Sequence, residues 1–394
     1  MSFIFNLARL PRVEFGSGRF ESIPDLLCRF GSHILIVTGG KSFLTSKYWS
    51  TLSAALDARQ VEYDLVQVIG EPSPDFIDAS VRIHARSAID CVLGIGGGSA
   101  LDAAKAIAGL LKPGNSVMDH LEGVGHELPY LGPTTPFIAV PTTAGTGSEA
   151  TKNAVLSIHG ADGFKKSFRD EQLVAEYAVI DPDLLETCPP DVVAANGMDA
   201  FTQLLESYVS CKANPFTDAL ALSGLEKIRD ALLPLYEGGG DANEHRTAMA
   251  YAALLSGITL AQVGLGSVHG LASPLGAFFP IPHGVVCGTL VAAATRINIE
   301  AMESRDRLNP ALGKYARIGR LLAQQDLNDA DARTALVATL DDWTQRLQLP
   351  RLGAYQVNNA DIPRIVANSR GSSMKTNPIE LTDSEIAAVL LARI

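Results

Sequence analysis

The chain has 394 residues, 47% of them hydrophobic and 19% charged, enough for two domains and a large core and unlike a disordered chain. A formal net charge of −11 argues against nucleic acid or an anionic membrane as the main partner, so an anionic ligand needs local groups to hold it. Five scattered cysteines (Cys28, Cys91, Cys188, Cys211, Cys287) without a C-x-x-C pair, no secretory leader and no apolar run of membrane-spanning length predict a cytoplasmic globular protein.

Phe3 to Phe15 reads as an extended strand or hairpin at a sheet edge, split around Leu10-Pro11. From His33 the pattern alternates. Ile34–Val37 is a buried strand, followed by the turn Gly39-Gly40-Lys41-Ser42, a helix over Ser46–Arg59 and a strand over Tyr63–Ile69. A helix over Ile77–Ser87 leads to the strand Cys91–Ile95, then Gly96-Gly97-Gly98 and a helix over Ser99–Ala108. Pro136–Pro141, Ala154–Ile158 and Tyr177–Ile180 are further strands. Strands alternating with helices predict a parallel sheet covered on both faces, with ligands at the carboxyl ends of the strands.

The glycine turn is the first candidate site. A strand breaking on glycines into a helix leaves the first helical amides unpaired, and the helix dipole adds positive potential there. Without a Cβ, a phosphate can approach the backbone closely. Ser99 is placed to cap the helix and Asp102 to sit in its first turn. The pattern is neither G-x-G-x-x-G nor a P-loop, so a bare structural turn competes with phosphate binding. The segment Thr142 to Glu149, dense in small hydroxyl residues, is a candidate second wall of the same pocket.

Beyond about Pro190 helical patterns take over: Val192–Lys212, Thr217–Leu233, His245–Ala261, Thr289–Ile299, Leu308–Gln325, Ala330–Leu347, Ile362–Ser369 and Thr382–Ile394. The chain therefore divides near residues 185–190 into an α/β domain (1–187) and an all-helical domain (188–394) packed on a cleft. Asp199, Gln203 and Glu206 share a helix face; His269 and His283 lie on other segments. Spacing alone leaves two readings open, a divalent-cation site or core residues satisfied by their neighbours.

The segments GGGSALDAAKAIA (96–108), PTTAGTGSEAT (141–151), VIDPDLL (179–185), GMDAFTQLLESYVS (197–210), HGLASPLGAFFPIPHG (269–284) and TNPIELT (376–382) together resemble the iron-containing (group III) alcohol dehydrogenases, relatives of glycerol dehydrogenase and dehydroquinate synthase. The resemblance implies a dinucleotide (NAD or NADP) in the cleft, a divalent metal (Fe²⁺ or Zn²⁺), reversible hydride transfer between an alcohol and its carbonyl compound, and a homodimer formed through the N-terminal edge strand. Carried over by position, Gly97, Gly98 and Ser99 would bind the pyrophosphate, with Asp102 beside them. Thr142, Thr143, Thr146 and Ser148 would line the nicotinamide side, Gly39 and Ser42 the adenosine side, and Lys165 would reach a ribose. Asp199, His269 and His283 fall on metal-ligand positions. Two positions depart from the family pattern: Gln203 and Ser273 stand where histidines are common. That implies a modified metal site with Gln203 as a weak amide ligand and Ser273 as a proton-passing hydroxyl. The turn after the first strand lacks a carboxylate and carries Lys41, which permits NADP(H) as readily as NAD. Alternatives within the resemblance are a maleylacetate- or phosphonoacetaldehyde-reductase-like enzyme using Arg296, Arg370 or Lys375 for an anionic substrate, a lyase of the dehydroquinate synthase type, or a cofactor-binding protein with a decayed metal site.

Overall fold

A computed structural model describes residues 4–394. The first half contains β1 (Arg12–Phe15), α1 (Ile23–Leu27), β2 (His33–Thr38), α2 (Lys41–Leu44), α3 (Lys47–Ala58), β3 (Glu62–Gln67), α4 (Pro74–His84), β4 (Cys91–Gly96) and α5 (Gly98–Leu110). It continues through β5 (Phe137–Pro141), β6 (Asn153–Ile158), β7 (Phe164–Arg169) and β8 (Tyr177–Ile180). The second half is helical: α6 (Pro190–Val209), α7 (Pro215–Glu237), α8 (Ala242–Val263), α9 (Ser267–Phe278), α10 (His283–Arg305), α11 (Pro310–Ala323), α12 (Asp329–Arg346), α13 (Ile362–Ala367) and α14 (Asp383–Leu391). The expected α/β and helical halves are both present.

Six strands form one parallel sheet in the order β1-β8-β5-β4-β2-β3. Alternate residues of β2 explain why both faces are covered: Leu35 and Val37 pack with α4 and α5, whereas Ile34 and Ile36 pack with α1 and α3. Each such fully buried aliphatic side chain contributes roughly 1.5–3 kcal/mol, which is why the strands read as unbroken apolar runs. A third core fills the helical half and reaches back to Ala178 and Ile180 of β8, joining the halves.

Four expectations are corrected. The edge segment is the short strand β1 and not a hairpin, and Phe3 lies outside the described residues. Strand β6 leaves the main sheet to pair antiparallel with β7, whose sequence FKKSFR is too basic to read as a strand. Helix α9 forms despite Pro274, and α10 begins at His283, well before the expected Thr289. Helix α10 is also long and apolar enough to span a membrane, but 83% of its apolar window is buried inside the protein. It is a core helix.

Candidate active site

A cleft of about 1550 Å³ lies between the carboxyl ends of the parallel strands and the helical half. Strand β4 delivers the glycine turn to its floor. Gly96 adopts φ +156, where a Cβ would also meet Ala100 at 2.6 Å. Gly98 is constrained differently: a Cβ there would stand 2.6 Å from Thr146 Cγ2. The glycine turn and the threonine loop therefore touch, and only glycine lets them. Gly97 is the N-cap of α5 and makes no side-chain cap, so the first amides keep free donors facing the cleft. That corrects the expectation for Ser99, which lies inside the first turn, and for Asp102, which falls just beyond it.

The threonine loop is held by groups that sequence reasoning underrated. Lys105, almost fully buried, donates to Ser148 O (2.8 Å), Ser148 Oγ (3.0 Å), Thr151 Oγ1 (3.1 Å) and Asn153 O (2.6 Å). Burial pushes its pKa down to about 8, against the opposing pull of Asp102 and Glu149. Ser148 Oγ in turn donates to Asp102 Oδ1 at 2.5 Å. Burial likewise raises the Glu149 carboxyl to about 7. At Gly147, φ +61, a Cβ would meet Gly257 N of α8 at 2.5 Å, so the loop is pressed backbone to backbone against the helical half.

Gly39, Gly40, Gly97, Gly98, Ser99, Asp102, Thr143, Thr146, Ser148 and Lys165 line the cleft; Thr142 and Ser42 do not. The amide of Thr142 bonds Gly96 O at 2.9 Å, and the exposed Ser42 offers its carbonyl to Thr45. Lys165 Nζ pairs with Glu71, whose other oxygen accepts from Ser157 at 2.5 Å, and Ser273 Oγ donates to Lys165 O at 3.0 Å. Of the three basic residues proposed for an anionic substrate, Arg296 pairs with Asp341 and Arg370 with Asp383, while Lys375 lines the cleft.

Across the cleft, α6, α9 and α10 converge. Asp199 Oδ1 lies 3.3 Å from His269 Nε2 and 3.8 Å from His283 Nε2. Glu206, one helical face along from Asp199, accepts from His269 Nδ1 (2.7 Å) and from the Val268 amide (2.7 Å). This directs Nδ1–H at Glu206 and turns Nε2 to the centre, where it can carry either a proton or a metal ion. Cys287, one turn after His283, adds its Sγ at 3.5 Å from His269 Nε2 and 3.8 Å from His283 Nε2. The ligand atoms of Asp199, His269, His283 and Cys287 all lie within 4.8 Å of one another. Gln203, expected among the ligands, gives its amide oxygen to Ser256 Oγ at 2.8 Å. Cys287 gave no such signal in the sequence, where it was one isolated cysteine among five.

The electrostatics of this cluster suit a cation. Asp199 is fully buried and its Oδ2 has no partner, as has His283 Nδ1. Burial opposes charging of His269, yet Cys287 and the carboxylates of Asp199 and Glu206 outweigh it, so its pKa stands well above the ordinary. A proton is thus held where a divalent ion would compensate the same carboxylates. Burial drops His283 to about 4, leaving a neutral imidazole. One carboxylate, two imidazoles and a thiol around one buried point, with Glu206 behind His269, fit a transition-metal ion better than a core network with an orphaned oxygen.

Comparison with known proteins identifies the family. Residues 11–182 match the family described as iron-containing alcohol dehydrogenase, and residues 193–394 match the C-terminal domain of the same family. Alcohol dehydrogenase 4 of Saccharomyces cerevisiae is 32% identical over 387 residues, covering 96% of each chain. Long-chain-alcohol dehydrogenase 1 of Geobacillus thermodenitrificans is 36% identical over 392 residues, covering 96% of this chain and 94% of its own. A solved structure of 1,3-propanediol oxidoreductase superposes over 100% of both chains with a TM-score of 0.89 at 26% identity. The chain belongs to the iron-containing alcohol dehydrogenase family and is an oxidoreductase that acts on alcohols.

Proposed function

We propose that the protein is an NAD(P)-dependent, metal-assisted dehydrogenase interconverting a small alcohol and its aldehyde or ketone. The observation that carries this reading is the buried Asp199–His269–His283 group facing a glycine–threonine wall across one cleft. The free amides at the start of α5 and the side-chain-free surface of Gly97 suit a pyrophosphate, and Thr143 and Thr146 continue the wall. Lys165, held by Glu71, presents its stem beside α9, a position from which it can meet a ribose. When bound, the nicotinamide supplies a hydride acceptor, and a divalent cation held by Asp199, His269 and His283 supplies Lewis acidity toward developing charge on the substrate oxygen. Glu206 keeps His269 oriented throughout, and neutral His283 keeps its Nε2 lone pair available. Ser273 uses its hydrogen to bond Lys165 O, so its oxygen can accept a hydrogen bond from a water, through which a proton could pass only if the hydroxyl releases its own.

The absence of a carboxylate in Gly39-Gly40-Lys41-Ser42 supports acceptance of NADP(H) as well as NAD. The commitment of Arg296 and Arg370 to surface ion pairs favours an uncharged alcohol over an anionic carbonyl compound. The intact donor cluster argues against a decayed site. Five free cysteines fit a reducing cytoplasm. The unpaired edge of β1, flanked by exposed Ile4, Leu7 and Val13, supports a homodimer through that edge. The test is a screen of alcohols and aldehydes with both cofactors, on chelator-stripped protein reloaded separately with Fe²⁺ and Zn²⁺. Full turnover by metal-free protein would refute the metal-assisted mechanism, and kcat/KM for the two cofactors decides between them.

A further inference from the structure

We propose that Cys287 is the fourth metal ligand of this chain, a thiolate that closes an Asp199–His269–His283–Cys287 set in place of the side chain at position 203. The proposal rests on the metal-assisted reading above and specifies the chemistry of its centre. Three observations carry it. The first is spacing. Tetrahedral donors bound at about 2.0–2.1 Å for nitrogen or oxygen and about 2.3 Å for sulfur stand about 3.3 Å apart in N/O pairs and about 3.6 Å in S–N pairs. Here the N–O separations are 3.3 and 3.8 Å and the S–N separations 3.5 and 3.8 Å. The four atoms thus already stand near the corners of one coordination sphere.

The second is what position 203 does instead. The Gln203 amide oxygen is occupied by the Ser256 hydroxyl at 2.8 Å, and a neutral amide is a poor ligand for a soft divalent ion. The third is Asp199 Oδ2, a fully buried carboxylate oxygen with no hydrogen-bond partner, whose need a cation held through the neighbouring Oδ1 would meet. The local fold explains how Cys287 reaches the sphere. Helix α10 begins at His283, so residue 287 lies one turn further on the same face. Coordination replaces the S–H proton, which leaves to solvent. A sphere with one thiolate, two imidazoles and one carboxylate favours Zn²⁺ over harder ions.

The experiment uses cobalt(II) as the probe in chelator-stripped, full-length protein, with metal content measured by elemental analysis. The expected result is one cobalt per chain and an intense near-ultraviolet sulfur-to-cobalt charge-transfer absorption. Cys287→Ser should abolish that band while Cys188→Ser retains it. Cys287→Ser should also weaken zinc binding by more than the ~10–100-fold typical of losing an outer-sphere partner. The wild-type spectrum tests the idea even if a variant folds poorly. Stoichiometric cobalt with no charge-transfer band would overturn the thiolate and leave the metal-assisted reading standing. Failure to bind any stoichiometric divalent ion would overturn both. Loss of the metal in Gln203→Ala but not in Cys287→Ser would overturn the proposal in favour of the amide.

Discussion

Glu149 offers a sharp test of the electrostatics that shape the cleft. Its carboxyl sits in the threonine loop, buried beside Lys105, and burial raises its pKa from 4.5 to about 7. In the unfolded chain the same carboxyl titrates at its ordinary value. Between those limits the folded protein holds a proton that the unfolded chain has released. Stability therefore falls as pH rises through this window. A displacement of that size corresponds to about 3 kcal/mol, present in full at the acid end and lost above neutrality. Glu149→Gln keeps the shape and removes the titration. Urea unfolding of both proteins at about pH 5 and about pH 8 should show the difference between variant and wild type changing by about 2–3 kcal/mol in favour of the glutamine, because pH 5 already lies above the ordinary carboxyl value. Titration of acids remote from Glu149 cancels in that difference. A difference that stays flat with pH would refute the argument that Glu149 is buried against its charge.

Four further outcomes follow from the geometry. Glu206→Gln, which weakens the acceptor that orients His269, should lower Zn²⁺ affinity ~10–100-fold with little change in fold, as read by competition with a chromophoric chelator. Lys105→Met leaves four oxygen acceptors without their cation and should cost ~3–5 kcal/mol in unfolding free energy. Gly98→Ala drives a methyl into Thr146 at 2.6 Å; a strain of about 1–3 kcal/mol should raise the cofactor Kd about 5- to 150-fold, and adding Thr146→Gly should restore much of it. For the proposed dimer, light scattering should give twice the chain mass, and Val13→Lys on the exposed edge strand should reduce it to one chain; a dimeric mass unchanged by the substitution would exclude that edge as the interface.

Much of this architecture was readable in advance, for identifiable reasons. The strands HILIVT and CVLGIG are buried on both faces, so they carry unbroken apolar runs that no surface helix would show. The amphipathic helix Lys47–Ala58 carries its own N-cap, Ser46, which accepts from Trp49. Helix α9 was hidden because Pro274 and four glycines or serines lower its propensity, while packing of Val268, Leu271, Ala272 and Leu275 supplies what propensity lacks. The start of α10 was hidden for a related reason: HGVVCG reads as loop, and only the folded chain shows that it winds into the core. That misreading concealed Cys287, because a cysteine one helical turn from a histidine has meaning only once the helix is known. The role of Lys105 was likewise invisible. A lysine on an alanine-rich helix normally faces water, and nothing local announces four oxygen acceptors arriving from another loop.

The contact between Gly147 and Gly257 has a mechanical meaning beyond its role in shaping the pocket wall. No side chain intervenes there, so the α/β half and the helical half meet as bare backbones. Such a junction cannot slide by exchanging rotamers, because neither side has a rotamer to exchange. A relative shift of the two halves at this contact therefore needs backbone movement on both sides, which makes it a fixed point of the cleft wall beside the shared core that reaches Ala178 and Ile180.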